Sequence, residues 1–245
     1  MPEPLFVLLL LASALAGLLD ATVGGGGFIL IPFMVFTGSA IQLAIGTSRL
    51  IFLMDSFSAV VGHARRGNID YRLALAYSIT SVAFVPVGAY VTAEAAPETV
   101  STVFGLFMLA MLALVVWKPK FGLVDRRPTG VLPSLAAGSL IGFMIGLLGG
   151  GVGVLIIFAL VLVSGTTILL ASGTSQVIVW LSNVVALAAY YGRGLVDLRL
   201  GLILGLAALV GAQAGVVLAH RAGNRLLRIL LIALTLASAV KLLLA

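Results

Sequence analysis

Apolar residues run along this chain in blocks long enough to cross a bilayer, and most polar residues fall in the short gaps between blocks. A bilayer core asks for about 20 apolar residues per helix. On that ruler the first half predicts helices over 5–22, 40–62, 72–93 and 97–117, and the second over 131–148, 167–190, 199–219 and 225–244. Two further apolar segments, 28–37 and 153–164, are too short to span. They follow the glycine runs Gly24-Gly25-Gly26-Gly27 and Gly149-Gly150-Gly151-Val152-Gly153. Glycine is a poor helix former, so the backbone should unwind there. Lipid cannot satisfy the amides this frees, so such a break persists only when packed in protein or lining a wet cavity. The pattern predicts an all-α polytopic membrane protein, with about eight transmembrane helices plus two short Gly-interrupted half-helices. The acidic Glu3 and the apolar run to Leu19 make the first block a membrane helix rather than a cleaved leader.

Displaced by 127 positions, the chain matches itself without a gap. Gly38 meets Gly165, Gly46-Thr47-Ser48 meets Gly173-Thr174-Ser175, and Arg66-Gly67 meets Arg193-Gly194. Asp70 meets Asp197 and Arg72 meets Arg199; from Gly38 to Leu75, 15 of 38 positions are identical. Chance among apolar residues would give roughly a tenth, and it would not keep Gly, Thr, Ser, Arg and Asp in order. The chain therefore divides into a first repeat (1–117), a linker (118–130) and a second repeat (131–245), all in one membrane domain.

Composition agrees with the pattern. The chain is 62% hydrophobic and 9% charged, where a soluble domain carries about a quarter charged residues. The net charge of +6 does not point to nucleic acid, because most of the basic residues sit in short loops as topology signals and lipid-headgroup contacts. Arg65, Arg66 and Arg72, and Lys118, Lys120, Arg126 and Arg127, place the 63–71 turn and the linker in the cytoplasm; the turn with Glu94 and Glu98 lies outside. In the second half Arg193 and Arg199 compete with Arg221, Arg225 and Arg228. The larger cluster puts 220–228 inside and makes the halves inverted copies. Inversion needs an odd number of crossings per half, so each glycine-broken segment must fold as a re-entrant hairpin.

Matched Gly-interrupted segments in two halves of a membrane chain point to a transporter's binding site. A helix start offers free amides and about half a positive charge, which suits an anion. Gly138, Gly142 and Gly146, spaced four apart, read instead as a close-packing face. The second constellation is Gly46-Thr47-Ser48-Arg49 with its partner Gly173-Thr174-Ser175-Gln176. A charge like that of Arg49 inside a membrane helix costs roughly 2.5–3.5 kcal/mol on insertion scales, so something must offset it. Spacing of seven sets Arg49 over Ser56 and Gln176 over Asn183. The candidate site for a small, singly or doubly charged anion is Gly24, Gly25, Gly26, Gly27, Thr47, Ser48, Arg49, Gly151, Gly153, Thr174, Ser175 and Gln176. Asp20 and Asp55 either bind a coupling proton or pair with Arg49 to tie helices together.

Other polar residues read as structural. His63 and His220 sit at predicted helix ends and read as interfacial residues, with no second ligand at metal spacing. Trp117 reads as an interface anchor and Trp180 as a packing residue; Asp70 and Asp197 read as loop caps. There is no cysteine, no hydrolase or zincin motif and no base for a serine nucleophile, so neither an enzyme nor a cofactor is expected. Small-residue faces permit a homodimer.

With these residues in view, the chain resembles the TauE/SafE family of sulfite and organosulfonate exporters over essentially its whole length. The resemblance rests on the length, the duplicated halves, the glycine run after the first helix of each half and the Gly-Thr-Ser triplets at 46–48 and 173–175. It implies export of small sulfur-containing anions (sulfite, sulfoacetate or other two-carbon sulfonates) across the prokaryotic inner membrane, and the site residues read as those of an ion-coupled secondary transporter working by alternating access. A passive anion channel could use the same residues. The second glycine run, interrupted by Val152, would offer fewer exposed amides.

Overall fold

The computed structural model describes residues 3–117 and 131–243, with side chains placed over 3–107, 109–110, 132–221 and at 229. The linker and the side chains of Trp117, Arg225 and Arg228 lie outside the described residues. Among those described there are nine helices and no strand: α1 (Glu3–Val23), α2 (Gly27–Phe36), α3 (Ile41–Ala64), α4 (Tyr71–Glu94), α5 (Pro97–Trp117), α6 (Val131–Leu148), α7 (Val152–Val163), α8 (Ile168–Tyr191) and α9 (Leu198–Leu243). In α1, α3, α4, α8 and the Leu198–Arg221 part of α9, length and hydropathy suffice to cross a membrane. Leu8, Leu11, Leu15, Leu202, Leu206 and Val210 are exposed on α1 and α9, as on a surface that meets lipid. The chain is an integral membrane protein.

Both glycine runs break the helix as expected, at 24–26 and 149–151. The C-terminal segment differs: the separate helices expected at 199–219 and 225–244 are one continuous 46-residue helix, α9. No proline falls between 198 and 243, and a lone interior glycine such as Gly223 costs only about 1 kcal/mol. The basic and polar residues near 221–224 therefore do not end it.

Glycine also sets which helices touch. Methyl groups on Gly138, Gly142 and Gly146 of α6 would overlap the α4 main chain or side chains at Tyr77, Thr80, Ser81 and Val85 in turn. The contacts advance in the same direction along both helices, so α4 and α6 run parallel. Gly17 of α1 meets Ala208 of α9 in the same way, and Gly211 and Gly215 of α9 meet Ala14 and Leu18. Close approach over small residues is how helices associate where lipid is as apolar as their side chains.

Helices α3 and α8 meet at the centre and run antiparallel, because the loop that follows each docks on the first turns of the other. The Asp70 amide donates to Thr174 Oγ1 (3.0 Å) and the Asp197 amide to Thr47 Oγ1 (2.9 Å). A methyl on Gly46 would overlap the Leu195 carbonyl, and one on Gly173 the Asn68 carbonyl. Asp70 Oδ1 accepts from the Leu73 amide and Asp197 Oδ1 from the Leu200 amide (3.0 and 2.9 Å), so both aspartates cap the next helix as expected. Glycines 127 positions apart share positive φ: Gly24 and Gly151 (both 75°), Gly38 and Gly165 (100° and 75°), and Gly67 and Gly194 (64° and 69°).

Candidate functional site

Two turns into α3, just after the triplet that seats the 192–197 loop, stands Arg49. It is fully buried, with 0% of its surface exposed. Its Nη1 donates to Asn183 Oδ1 on α8 (3.2 Å), and its guanidinium carbon lies 5.6 Å from the centre of the Tyr190 ring, a cation–π contact. Tyr190 is anchored in turn by its hydroxyl, which donates to the Gly146 carbonyl (2.6 Å). Arg49 Nε and Nη2 have no hydrogen-bond partner. A buried polar group left unpaired is costly, more so when charged; two such nitrogens on one guanidinium are donors suited to acceptor oxygens.

A small cavity opens beside that guanidinium, lined by Asp20, Arg49, Phe52, Ile145, Gly149 through Gly153, Val179 and Asn183. Its wall is the break between α6 and α7, where Gly149 and Gly151 take positive φ (83° and 75°). Gly149 faces Arg49: a methyl there would come within 2.7 Å of Nη2. None of the backbone hydrogen bonds outside the helices starts from the amides of Gly150, Gly151, Val152 or Gly153. The donors needed for an oxyanion thus stand together: a guanidinium edge and the amides of a helix start.

The first glycine run lies behind the second. Methyl groups on Gly24 and Gly153 would each overlap the other's main chain, as would methyls on Gly27 and Gly150. The Val154 amide donates to the Gly24 carbonyl (3.1 Å). Of the expected site residues, Arg49, Gly151 and Gly153 line the cavity with Asp20; Gly24 and Gly27 pack behind its wall, Gly26 packs on Ala16 and Asp20 of α1, and the Gly25 carbonyl accepts from the Phe28 amide. Thr47 and Thr174 hold loops, as above, and Ser48 and Ser175 donate to carbonyls one turn earlier on their own helices (both 2.7 Å). Gln176 Nε2 donates to the backbone carbonyl of Asp20 (2.7 Å).

Arg49 takes Asn183 as its hydrogen-bond partner, not a carboxylate, so the structural alternative of an Arg49 pair with Asp20 or Asp55 is not what holds it. Asp20 Oδ2 and both oxygens of Asp55 are buried without a partner. His63 is a correction: it is fully buried, not interfacial. The 65–70 loop folds over it, Asn68 Nδ2 lies 3.2 Å from its Nδ1, and its Nε2 reaches the Ala21 carbonyl at 3.1 Å. Trp180 packs on Phe57 (5.8 Å between centroids), as expected. No group of three metal-ligating side chains occurs among the described residues.

Asn183 was legible only as a stripe neighbour of Gln176, and Tyr190 was missed. The signal was there: Gln176, Asn183 and Tyr190 are spaced by seven, as are their counterparts Arg49, Ser56 and His63. Phe52, Ile145 and Val179 carry no chemical signature that marks them as lining.

Known proteins place the chain. The profile of the family described as Sulfite exporter TauE/SafE matches residues 9–242. The probable membrane transporter protein ORF9 of Sinorhizobium sp. is 31% identical over 241 residues, covering 98% of this chain and 92% of its own. The probable membrane transporter protein YfcA of Escherichia coli K12 is 27% identical, over 99% and 91%. YunE of Bacillus subtilis, also a probable membrane transporter protein, is 26% identical over 86% and 87%. No solved structure matches. A match across nearly the whole length, onto a chain whose helices cross a membrane around a buried arginine, makes this protein a member of the TauE/SafE family of membrane transporters.

Proposed function

We propose that the chain is a secondary transporter that exports small sulfur-containing anions (sulfite, sulfoacetate or other two-carbon sulfonates) across the prokaryotic inner membrane by alternating access. The observation that carries this reading is Arg49, buried with two unpaired nitrogens at a cavity walled by the Gly149–Gly153 loop. A sulfonate brings one negative charge and three acceptor oxygens. One guanidinium and several amides complement it in charge and in number of donors. The cavity measures about 20 Å³, room for a water molecule rather than a sulfonate. Loading therefore requires the α6–α7 break to move relative to α3, as a carrier demands.

Two inverted repeats give that motion an axis. The antiparallel α3 and α8, their exchanged loops and the matched positive-φ glycines support the inverted arrangement. In that arrangement α2 and α7 return part-way as re-entrant limbs, and the 63–71 turn faces the cytoplasm.

Solute counterflow in proteoliposomes tests the reading. Vesicles preloaded with sulfite, sulfoacetate, taurine, sulfate or acetate receive external labelled sulfoacetate, with Arg49→Ala alongside. Saturable exchange with sulfur anions, lost in folded Arg49→Ala, is the expected result. Exchange by Arg49→Ala at the normal rate would overturn the site. Unsaturable flux of labelled anion would make the protein a channel.

A further inference from the structure

The anion site leaves two buried carboxyl groups unexplained. Asp20, on α1, lines the cavity and is 5% exposed; Asp55, on α3, is 1% exposed and lies outside the cavity lining. The helices that carry them pack together at this level: Ala21, next to Asp20, and Ala59, one turn beyond Asp55, belong to one buried cluster. Three of their four oxygens are buried without a hydrogen-bond partner. Gln176, 1% exposed, is tied by its Nε2 to the Asp20 carbonyl, and its Oε1 is a further buried oxygen without a donor. Buried carboxyl oxygens left without donors call for a cation, and the smallest one, a proton, needs no coordination shell.

The charges around the pair set the sign of the coupling. Arg49 on α3 is the buried cation. From α8 come only the neutral Gln176 and Asn183 and the Tyr190 phenol, and the Gly149–Gly153 loop brings nothing that titrates. His63 on α3, bonded to the carbonyl of Ala21 beside Asp20, faces His220 of α9 with 5.4 Å between ring centroids. Asp20 and Arg49 line one cavity but form no ion pair; with the anion site empty, the guanidinium charge offsets at most one carboxylate, and a proton is left to neutralise the other. An anion at Arg49 takes over that balance, and the remaining carboxylate is left as an uncompensated buried charge, which is strongly unfavourable.

We propose that Asp20 and Asp55 form one proton site linked to the anion site, so that each anion bound takes up about one proton and the two cross together. The inference rests on the proposed anion site at Arg49. A dianion accompanied by one proton still carries net negative charge outward, a direction the inside-negative potential favours by about 2.3 kcal/mol per 100 mV.

The test uses the purified full chain in weakly buffered detergent with a pH-indicator dye. Isethionate is the probe, because its sulfonate does not titrate near neutral pH; binding is read separately by equilibrium dialysis of the labelled compound. The wild type is expected to take up about one proton per isethionate, with affinity rising by up to about tenfold for each unit the pH is lowered. Asp55→Asn is expected to abolish the uptake and flatten the pH dependence. His220→Gln is expected to retain both. Binding without uptake, or with proton release, overturns the proton site while leaving the anion site standing. Loss of the uptake in His220→Gln overturns its assignment to the carboxylates, and wild type that does not bind isethionate removes both the proposed function and this inference.

Discussion

Gly24 and Gly153 lie main chain against main chain, with the Gly24 carbonyl accepting the Val154 amide at 3.1 Å. The break in one half is thus the platform for the break in the other. A methyl at either position must push two backbones apart. Gly153→Ala is expected to lower stability by about 1–3 kcal/mol and to widen or misplace the cavity wall. Gly67→Ala is the control: its φ is also positive, at 64°, but nothing lies within 4 Å of the added methyl, so only a conformational cost of about 1–2 kcal/mol applies. Thermal unfolding in detergent, read with counterflow, should show Gly153→Ala losing transport and Gly67→Ala keeping it.

Thr47 and Thr174 hold the two exchanged loops through matching bonds of 2.9 and 3.0 Å. Thr47→Val and Thr174→Val keep the side-chain shape and remove the acceptor. Each is expected to cost about 1 kcal/mol, by similar amounts, with transport retained below the unfolding transition. Unchanged stability together with lost anion binding would return these hydroxyls to the binding site.

Asn183 fixes one nitrogen of Arg49 at 3.2 Å. Asn183→Leu frees the guanidinium to swing, and KM for the anion should rise about tenfold, as expected for losing a hydrogen bond to a charged group. Asn183→Asp gives Arg49 a permanent carboxylate partner beside the anion's place. Counterflow with that variant should fall to the protein-free background.

The chain has no cysteine, so single reporters need no background removal. Arg65 and Arg193 are exposed in the loops after α3 and α8. In the inverted arrangement Arg65→Cys reacts with a membrane-impermeant maleimide from the cytoplasmic side and Arg193→Cys from the opposite side. Labelling of both from one side would contradict the antiparallel setting of α3 and α8.

Helix positions were largely legible because apolar run length and glycine breaks are local properties. The ends of α3, α4 and α8 fall within one or two residues of those expected. The continuity of α9 was not legible, since Arg221, Gly223 and Asn224 look like a loop while none of them forbids a helix. Orientation in the second half was ambiguous for a physical reason: Arg66 and Arg72 have matching arginines 127 positions on, Arg193 and Arg199, so loops at opposite ends of antiparallel helices carry the same charge. Arg49 stood out as a cation about a third of the way into an apolar run of membrane-spanning length. The triplet hydroxyls were harder to place, because a threonine that receives a neighbouring loop has the same local sequence as one that receives a ligand. Only the three-dimensional pairing of Thr47 with Asp197 distinguishes the two.

The exchanged loops also bear on ancestry. Each half lends the other the segment that closes over its glycine–threonine turn, so neither half is finished alone. A single-copy ancestor could satisfy the same contacts only by meeting a second molecule inserted the other way up. Such an ancestor would have needed a nearly indifferent charge bias, able to enter the membrane in both senses. Fusion of two copies into one chain would then freeze each copy in one sense and release matched positions, such as 49 and 176, to differ.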